Sequence, residues 1–429
     1  MERFVIEGGH CLSGSIAPAG NKNAALPLLA ATLLTNHEVT LENIPRIGDV
    51  ATKLKLLRQL GARVEPAGEH RWSISAHDVA EIQPDAGLAR RIRTSALLAG
   101  PLLARRGHVV LPRPGGDAIG RRRLDTHFHA LTALGAALEV TPSSYHLRAD
   151  RLRGTDIFLD EMSVTGTEQA VMAAVLAEGT TTIGNAASEP HVQDLCRFLN
   201  TLGARISGIG TNLLTIEGVT SLGGGCYRIG PDFMEVASFI GLAAVTRSAI
   251  RICDARPEEH RMTRIQFGRL GVRWHDEGRD IVVPAEQELC VQEDMHGAIP
   301  KIDSMPWPGF NPDLISIALV VATQASGTVL IHEKMFESRL FFVDRLISMG
   351  ARIVLCDPHR AVVAGPSKLY GEPEGLPSPD IRAGMALLIA SLAAQGRSVI
   401  YNIGQIDRGY ERIDERLRSL GAHIQRTQE

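Results

Sequence analysis

One phrase recurs six times along the chain: LRQLGARVE from Leu57, LTALGAALE from Leu131, LNTLGARIS from Leu199, FGRLGVRWH from Phe267, LISMGARIV from Leu346 and LRSLGAHIQ from Leu417. Its glycines, Gly61, Gly135, Gly203, Gly271, Gly350 and Gly421, stand 74, 68, 68, 79 and 71 residues apart. Self-similarity at that period means one folding motif copied six times, and it restricts the fold more than any single short motif. Each phrase closes an apolar-periodic segment that reads as a helix. The glycine supplies the positive φ of a C-terminal cap, and an alternating strand follows, as at residues 62–65 and 351–355.

Upstream of each copy lies a second apolar segment that ends in a small-residue turn and a strand, for example EQAVMAAVLAEGTTTI and GMALLIASLAAQGRSVIY. That helix is apolar nearly all round and is predicted to be buried. The helix closing each phrase, such as YERIDERLRSL, carries charge on one face and is predicted to be partly solvated. Six repeats divide into two lobes of three, the first over residues 22–230 and the second over residues 1–21 plus 231–429. Gly223-Gly224-Gly225 through Gly230-Pro231 reads as a flexible hinge. The first twenty residues have strand character and are expected to complete the second lobe.

A chain of 429 residues with 45 Lys+Arg against 48 Asp+Glu carries a net charge of −3, without the electrostatic footprint of a nucleic-acid binder. Its longest apolar runs, such as residues 314–322, stop well short of the roughly 18 residues that cross a bilayer. The start MERFVIEGG lacks a signal-peptide pattern, so a soluble, cytoplasmic protein with neither membrane nor nucleic-acid partner is expected. Cys11, Cys196, Cys226, Cys253, Cys290 and Cys356 show no metal-ligand spacing; they read as buried thiols, with neither disulfide nor zinc. No phosphate loop, dinucleotide fingerprint or serine elbow appears. His10, His127, His191 and His260 form no readable acid–base pair.

Reactive side chains collect just before helices, where unpaired N–H groups and the dipole favour anions. Lys22 and Asn23 precede one apolar helix, Arg93 a second, and Ser163 to Thr167 a third. Asp313 opens a fourth, and Asp380 with Arg382 opens the last; Arg122, Arg339 and Arg408 precede solvated helices. Asn23, Asp313 and Asp380 are also ordinary N-cap types, so capping alone accounts for each in isolation. The arginines are different as a set, because a cation at a helix N-terminus opposes the dipole unless an anion lies between them.

Residues 112–123, PRPGGDAIGRRR, surround one carboxylate, Asp117, with two prolines and three glycines and end in three arginines. This describes a mobile loop that could close on a ligand, with Asp117 at its tip as a proton donor. The plainer alternative is a solvated turn in which Asp117 caps the next helix.

Several dispersed strings together resemble one family. They are GNKNAALP at residues 20–27, the PGGxxIG loop at 114–120, Ser163-Val164 with Gly166-Thr167, Asn185-Ala186-Ala187 with Glu189-Pro190, Phe336-Glu337 with Arg339, and IDRGYER at 406–412. On these the chain resembles, over nearly its whole length, the UDP-N-acetylglucosamine enolpyruvyl transferases, which open bacterial peptidoglycan synthesis. The resemblance implies an α/β fold of two lobes, an inside-out α/β barrel with three βαβαββ-type repeats per lobe, whose helix N-termini face a closing cleft. It also implies a cofactor-free, metal-free reaction between phosphoenolpyruvate and the sugar nucleotide. The sugar 3-hydroxyl adds to C2 while C3 takes a proton, and the tetrahedral ketal then loses phosphate.

By that resemblance Lys22, Arg122 and Arg408 clamp the phosphate, Arg339 and Arg382 help bind the carboxylate, and Asp313 is the base beside the attacking hydroxyl. Asn23 and Arg93 match sugar and nucleotide contacts. Arg123, Asp125, Ser163, Val164, Gly166 and Asp380 complete the substrate-binding set. Asp117 stands where most members carry a reactive cysteine. A carboxyl group can deliver a proton, but aspartates ordinarily ionise near pH 3.9, so closure and the substrate's own charge would have to hold the proton in place. Epoxides of the fosfomycin type alkylate the loop cysteine, and insensitivity to them is expected here.

Arg123 and Glu161 are lesser departures, at positions where many members have proline and some have lysine. They leave room for another acceptor, shikimate 3-phosphate or a different nucleotide, or for a non-catalytic nucleotide-binding relative. RNA-end processing on a related repeated fold is disfavoured by the charge.

Overall fold

The computed structural model describes residues 2–117, 119–120 and 122–428; Ala118 of the loop and Arg121 of its arginine run lie outside the described residues. All six recurring phrases end in the same helix stop. In the first copy the Gly61 N–H donates to the Arg58 carbonyl and the Ala62 N–H to the Leu57 carbonyl, and the same pair of bonds recurs in every copy. The six glycines have φ between +85° and +102°, so each stop is a Schellman motif. A strand follows two residues after the glycine in four copies, at Arg63, Ala137, Arg205 and His423. It is delayed to Ile353 in the fifth copy and to His275 in the fourth.

The chain forms two compact units: Met1–Ala19 with Ala118–Arg121 and Pro231–Glu429, and Gly20–Asp117 with Arg122–Gly230. In the first, helices Phe233–Val245, Ile315–Gln324 and Ile381–Ala393 pack on one another. Every residue of Phe233–Val245 is buried, and so is nearly every residue of the other two. In the second, Lys22–Ala31, Ala99–Arg106 and Val164–Ala174 take the corresponding places, and helix Ala99–Arg106 is entered through a short 3-10 stretch, Arg93–Leu98. Apolar surface on all sides of a helix requires this burial.

Among the described residues each unit carries three separate sheets around its helices, and their strands do not join into one closed barrel. Strands show one buried and one solvated face; in Gly327–His332, Val329 and Ile331 are buried between more exposed neighbours. Parallel pairs bracket a buried helix, as where Lys301–Asp303 pairs with Gly327–His332 across Ile315–Gln324. Two repeats borrow their parallel strand from far along the chain. Ser13–Ile16 lies beside Ala249–Ile252, and Gly225–Arg228 beside Val39–Glu42. The N-terminal segment thus serves the first unit twice, since Glu2–Gly8 also pairs with Gly396–Tyr401 and His423–Gln428.

The chain passes from one compact unit to the other between Gly230 and Pro231, at the end of the expected hinge stretch. Within that stretch Gly225 is a strand residue in register with Val39, and the Gly223 N–H donates to the Leu202 carbonyl. The cysteine expectation is corrected: Cys196 is buried and Cys253 half-buried, whereas Cys11, Cys226, Cys290 and Cys356 are exposed, and all six are free thiols. Among the described residues, no helix is long and apolar enough to cross a membrane.

Candidate active site

Two of the three capping alternatives fail, because a residue two positions earlier takes the cap. Asn21 Oδ1 accepts the N–H groups of Asn23 and Ala24, and Asn311 Oδ1 accepts that of Asp313. Asn23 and Asp313 are therefore released for other partners. Asp380 does cap its helix, Oδ1 accepting from the Arg382 and Ala383 N–H groups. Asp117 is not the cap of the following helix: that helix starts at Asp125 and its N-cap position is Leu124, which makes no side-chain bond.

In the first compact unit Asp313 joins two of the arginines. Its Oδ1 accepts from Arg339 Nη2 at 2.8 Å and its Oδ2 from Arg382 Nε at 3.0 Å. Both guanidiniums are buried. Burial acts to lower Arg382, but Tyr410, Asp313 and Asp232 together hold it above the ordinary arginine value. Arg339 lies 5.1 Å from the Phe336 ring centroid, and among the described residues its buried Nε has no hydrogen-bond partner. Arg408 Nη1 donates to Gln405 Oε1 at 2.7 Å. Residue 119 of the loop groups with this unit, its carbonyl accepting the Ser338 N–H at 3.2 Å.

In the second unit Lys22 Nζ meets Asp49 Oδ2 at 3.1 Å, both largely buried. Arg93 Nη2 donates to the carbonyls of Arg122 and Arg123 at 2.9 and 2.7 Å, which holds the backbone at these two residues. Burial first, and the Arg122 charge second, bring Arg93 down to about 10. Two cations held this close weaken one another unless an anion joins them. The loop stem is tightly seated: a Cβ on Gly115 would lie 1.7 Å from the Arg90 carbonyl oxygen, and one on Gly116, φ +114°, would lie 2.9 Å from Arg93 Cβ. Asp117 is half-buried at the end of this stem.

Arg123 is tied to Asp125 by two bonds, Nε to Oδ2 at 2.8 Å and Nη2 to Oδ1 at 2.7 Å. Ser163 caps the helix that begins at Val164, accepting the Gly166 N–H at 3.2 Å, and Glu161 is exposed just ahead of it.

A buried polar group under this face escaped the sequence reading. Lys53 is wholly buried, and its Nζ donates to the Thr94 carbonyl at 2.7 Å, beside Arg93. Burial brings its ammonium down to about 7 against the pull of Glu168, whose own carboxyl is raised by burial and by Glu189. The signal was present: Lys53 shares the helical stripe of Val50, Leu54 and Leu57, all buried. His127 is buried as well, with neither ring nitrogen partnered among the described residues.

Burial, then the Arg93 charge, depresses His127 to about 3. An unfolded histidine takes a proton near pH 6.5, so between these values the unfolded chain binds a proton that the fold refuses, and stability falls on acidification. By pH 5 this one group should cost on the order of 2 kcal/mol. Urea midpoints at pH 7 and pH 5 for the wild type and His127→Gln test it; equal acid losses in both proteins would remove His127 as the cause.

The model of the family described as EPSP synthase (3-phosphoshikimate 1-carboxyvinyltransferase) matches residues 6–417. Among solved structures, an enolpyruvyl transferase from Streptomyces tendae is similar at a TM-score of 0.88 and 25% identity, with 99% of each chain covered. An EPSP synthase from Acinetobacter baumannii, 17% identical over 100% of both chains, shares the fold at a TM-score of 0.75. The chain belongs to the enolpyruvyl (1-carboxyvinyl) transferase family. Within it, the chain is 56% identical to the UDP-N-acetylglucosamine 1-carboxyvinyltransferase of Treponema denticola over 99% of each. It is 57% identical to that of Bradyrhizobium diazoefficiens over 100% of this chain and 98% of the relative.

Proposed function

We propose that the protein transfers the enolpyruvyl group of phosphoenolpyruvate to the 3-hydroxyl of UDP-N-acetylglucosamine and releases phosphate, the first committed step of peptidoglycan synthesis, in the cytoplasm and in support of cell shape and division. Full-length identity of 56–57% to relatives of that name carries the reading. The site chemistry agrees with it. Arg339 and Arg382 already hold one carboxylate, that of Asp313, with one bond each at 2.8 and 3.0 Å, and guanidinium groups suit carboxylate and phosphate alike.

In this assignment Lys22, Arg122 and Arg408 take the phosphate, and Arg339 and Arg382 the carboxylate. Asp117 delivers the proton to C3, and Asp313 removes the proton of the attacking hydroxyl. Asn23 and Arg93 contact the sugar nucleotide, with Arg123, Asp125, Ser163, Val164, Gly166 and Asp380 around it. The two departures are accommodated: Arg123 is neutralised by Asp125, and Glu161 is exposed. The domains assigned to this chemistry are residues 22–230, which carry the loop, and residues 1–21 plus 231–429.

The test is phosphate release from phosphoenolpyruvate with UDP-N-acetylglucosamine, with shikimate 3-phosphate and with no acceptor. Release only with the sugar nucleotide is expected, and release only with shikimate 3-phosphate overturns the acceptor. The loop's seat gives a further prediction. Gly115→Ala cannot keep its place 1.7 Å from a backbone oxygen, and a loop displaced by about 1 Å should cost about a hundredfold in turnover. Phosphate release at an unchanged melting temperature measures it, and an undiminished rate would show that the stem's position does not matter.

A further inference from the structure

We propose that Tyr410 is a positioning residue that fixes Arg382 and Arg408 at one spacing, so that a single phospho-carboxylate spans them. The direction of the hydrogen bonds in this part of the first compact unit follows from the number of protons each group has to give. Ser238 Oγ donates to the Met234 carbonyl at 2.7 Å, which commits its only proton. The contact of 3.2 Å between Ser238 Oγ and Tyr410 Oη is therefore donated by the tyrosine. With its proton committed, Tyr410 Oη faces Arg382 as an acceptor, taking the Nη1–H at 3.2 Å. A one-way chain runs from guanidinium to phenol to serine to helix carbonyl.

Arg382 is thereby held from both sides, Nε by Asp313 and Nη1 by Tyr410, whose ring centroid lies 5.5 Å from Cζ. Tyr410 is 1% exposed, so no water competes for this acceptor. The backbone is locked at the same point: a Cβ on Gly409 would lie 2.4 Å from Ile381 Cγ2, so the segment carrying Arg408, Gly409 and Tyr410 rests on the residue before Arg382. The hydrogen bond and this contact together set the distance from Arg382 to Arg408. The inference rests on the assignment of Arg382 to the carboxylate and Arg408 to the phosphate of phosphoenolpyruvate.

Tyr410→Phe keeps the shape and removes the acceptor. A lost bond to a buried charge corresponds to about a tenfold to hundredfold change. It should appear as a raised KM for phosphoenolpyruvate, with the KM for UDP-N-acetylglucosamine and the melting temperature little changed. Ser238→Ala, which frees the tyrosine proton, should move the same KM in the same direction by less. In the Arg382→Lys background the added effect of Tyr410→Phe should vanish, because a lysine has no second nitrogen to bridge Asp313 and Tyr410. Equal rises in both KM values, or a fall in melting temperature without a KM change, overturn the positioning role. An Arg382→Lys enzyme with an unaltered phosphoenolpyruvate KM overturns the carboxylate assignment instead, whatever Tyr410→Phe does.

Discussion

Asp117→Asn is expected to cut phosphate release by about 10² to 10⁴-fold, the usual worth of a positioned general acid, while the KM for the sugar nucleotide barely moves. Asparagine copies the shape of aspartate but has no acidic proton to give to C3. The loop stem is set by Gly115 against the Arg90 carbonyl and by Gly116 against Arg93, contacts that the substitution leaves alone. The loss should therefore fall on chemistry and not on loop placement. Asp117→Cys is expected to recover much of the rate, since a thiol also carries a transferable proton. The two proteins should part company towards an epoxide of the fosfomycin type: no time-dependent loss in the wild type, and covalent inactivation of Asp117→Cys. A turnover plateau left intact by Asp117→Asn would end the assignment of this residue as donor.

What could be read along the chain was local. A Schellman stop is made by residues within five positions of each other, and so six copies of one short phrase announced six helix stops and the strands after them. An all-apolar helix likewise has one environment open to it, and the buried helices followed. Pairings between distant segments were not legible. Nothing near Gly225 says that it lies beside Val39. The candidate site divides along the same line. Asp313, Arg339 and Arg382 could be named, but their mutual fork joins residues 26 and 69 positions apart. Asn21 and Asn23 are the same residue type two positions apart, and only the place where the helix starts decides which of them caps it. Exposure of four cysteines depended on which strand faces and loops meet solvent, which composition does not carry.

Asp313→Ala should produce the largest combined effect. It removes the carboxylate that both Arg339 and Arg382 grip, and it leaves two buried guanidiniums without that counterion. Breaking a buried ion pair from one side costs about 3–5 kcal/mol, and loss of a general base lowers turnover by about 10² to 10⁴-fold. Asp313→Asn separates the two roles. Its amide oxygen still accepts one guanidinium bond, so urea stability should return most of the way, but an amide takes no proton from the sugar hydroxyl and turnover should stay low. Formate offers the converse: a small carboxylate that enters the space left in the alanine variant should raise its urea midpoint more than that of the wild type, because it re-pairs the arginines. If Asp313→Ala unfolds at the wild-type urea concentration, the two arginines have found other counterions and the fork is not what holds them. If instead Asp313→Asn turns over at the wild-type rate, the proton of the attacking hydroxyl leaves by another group, and Asp313 serves only to hold the pair of cations that receives the substrate.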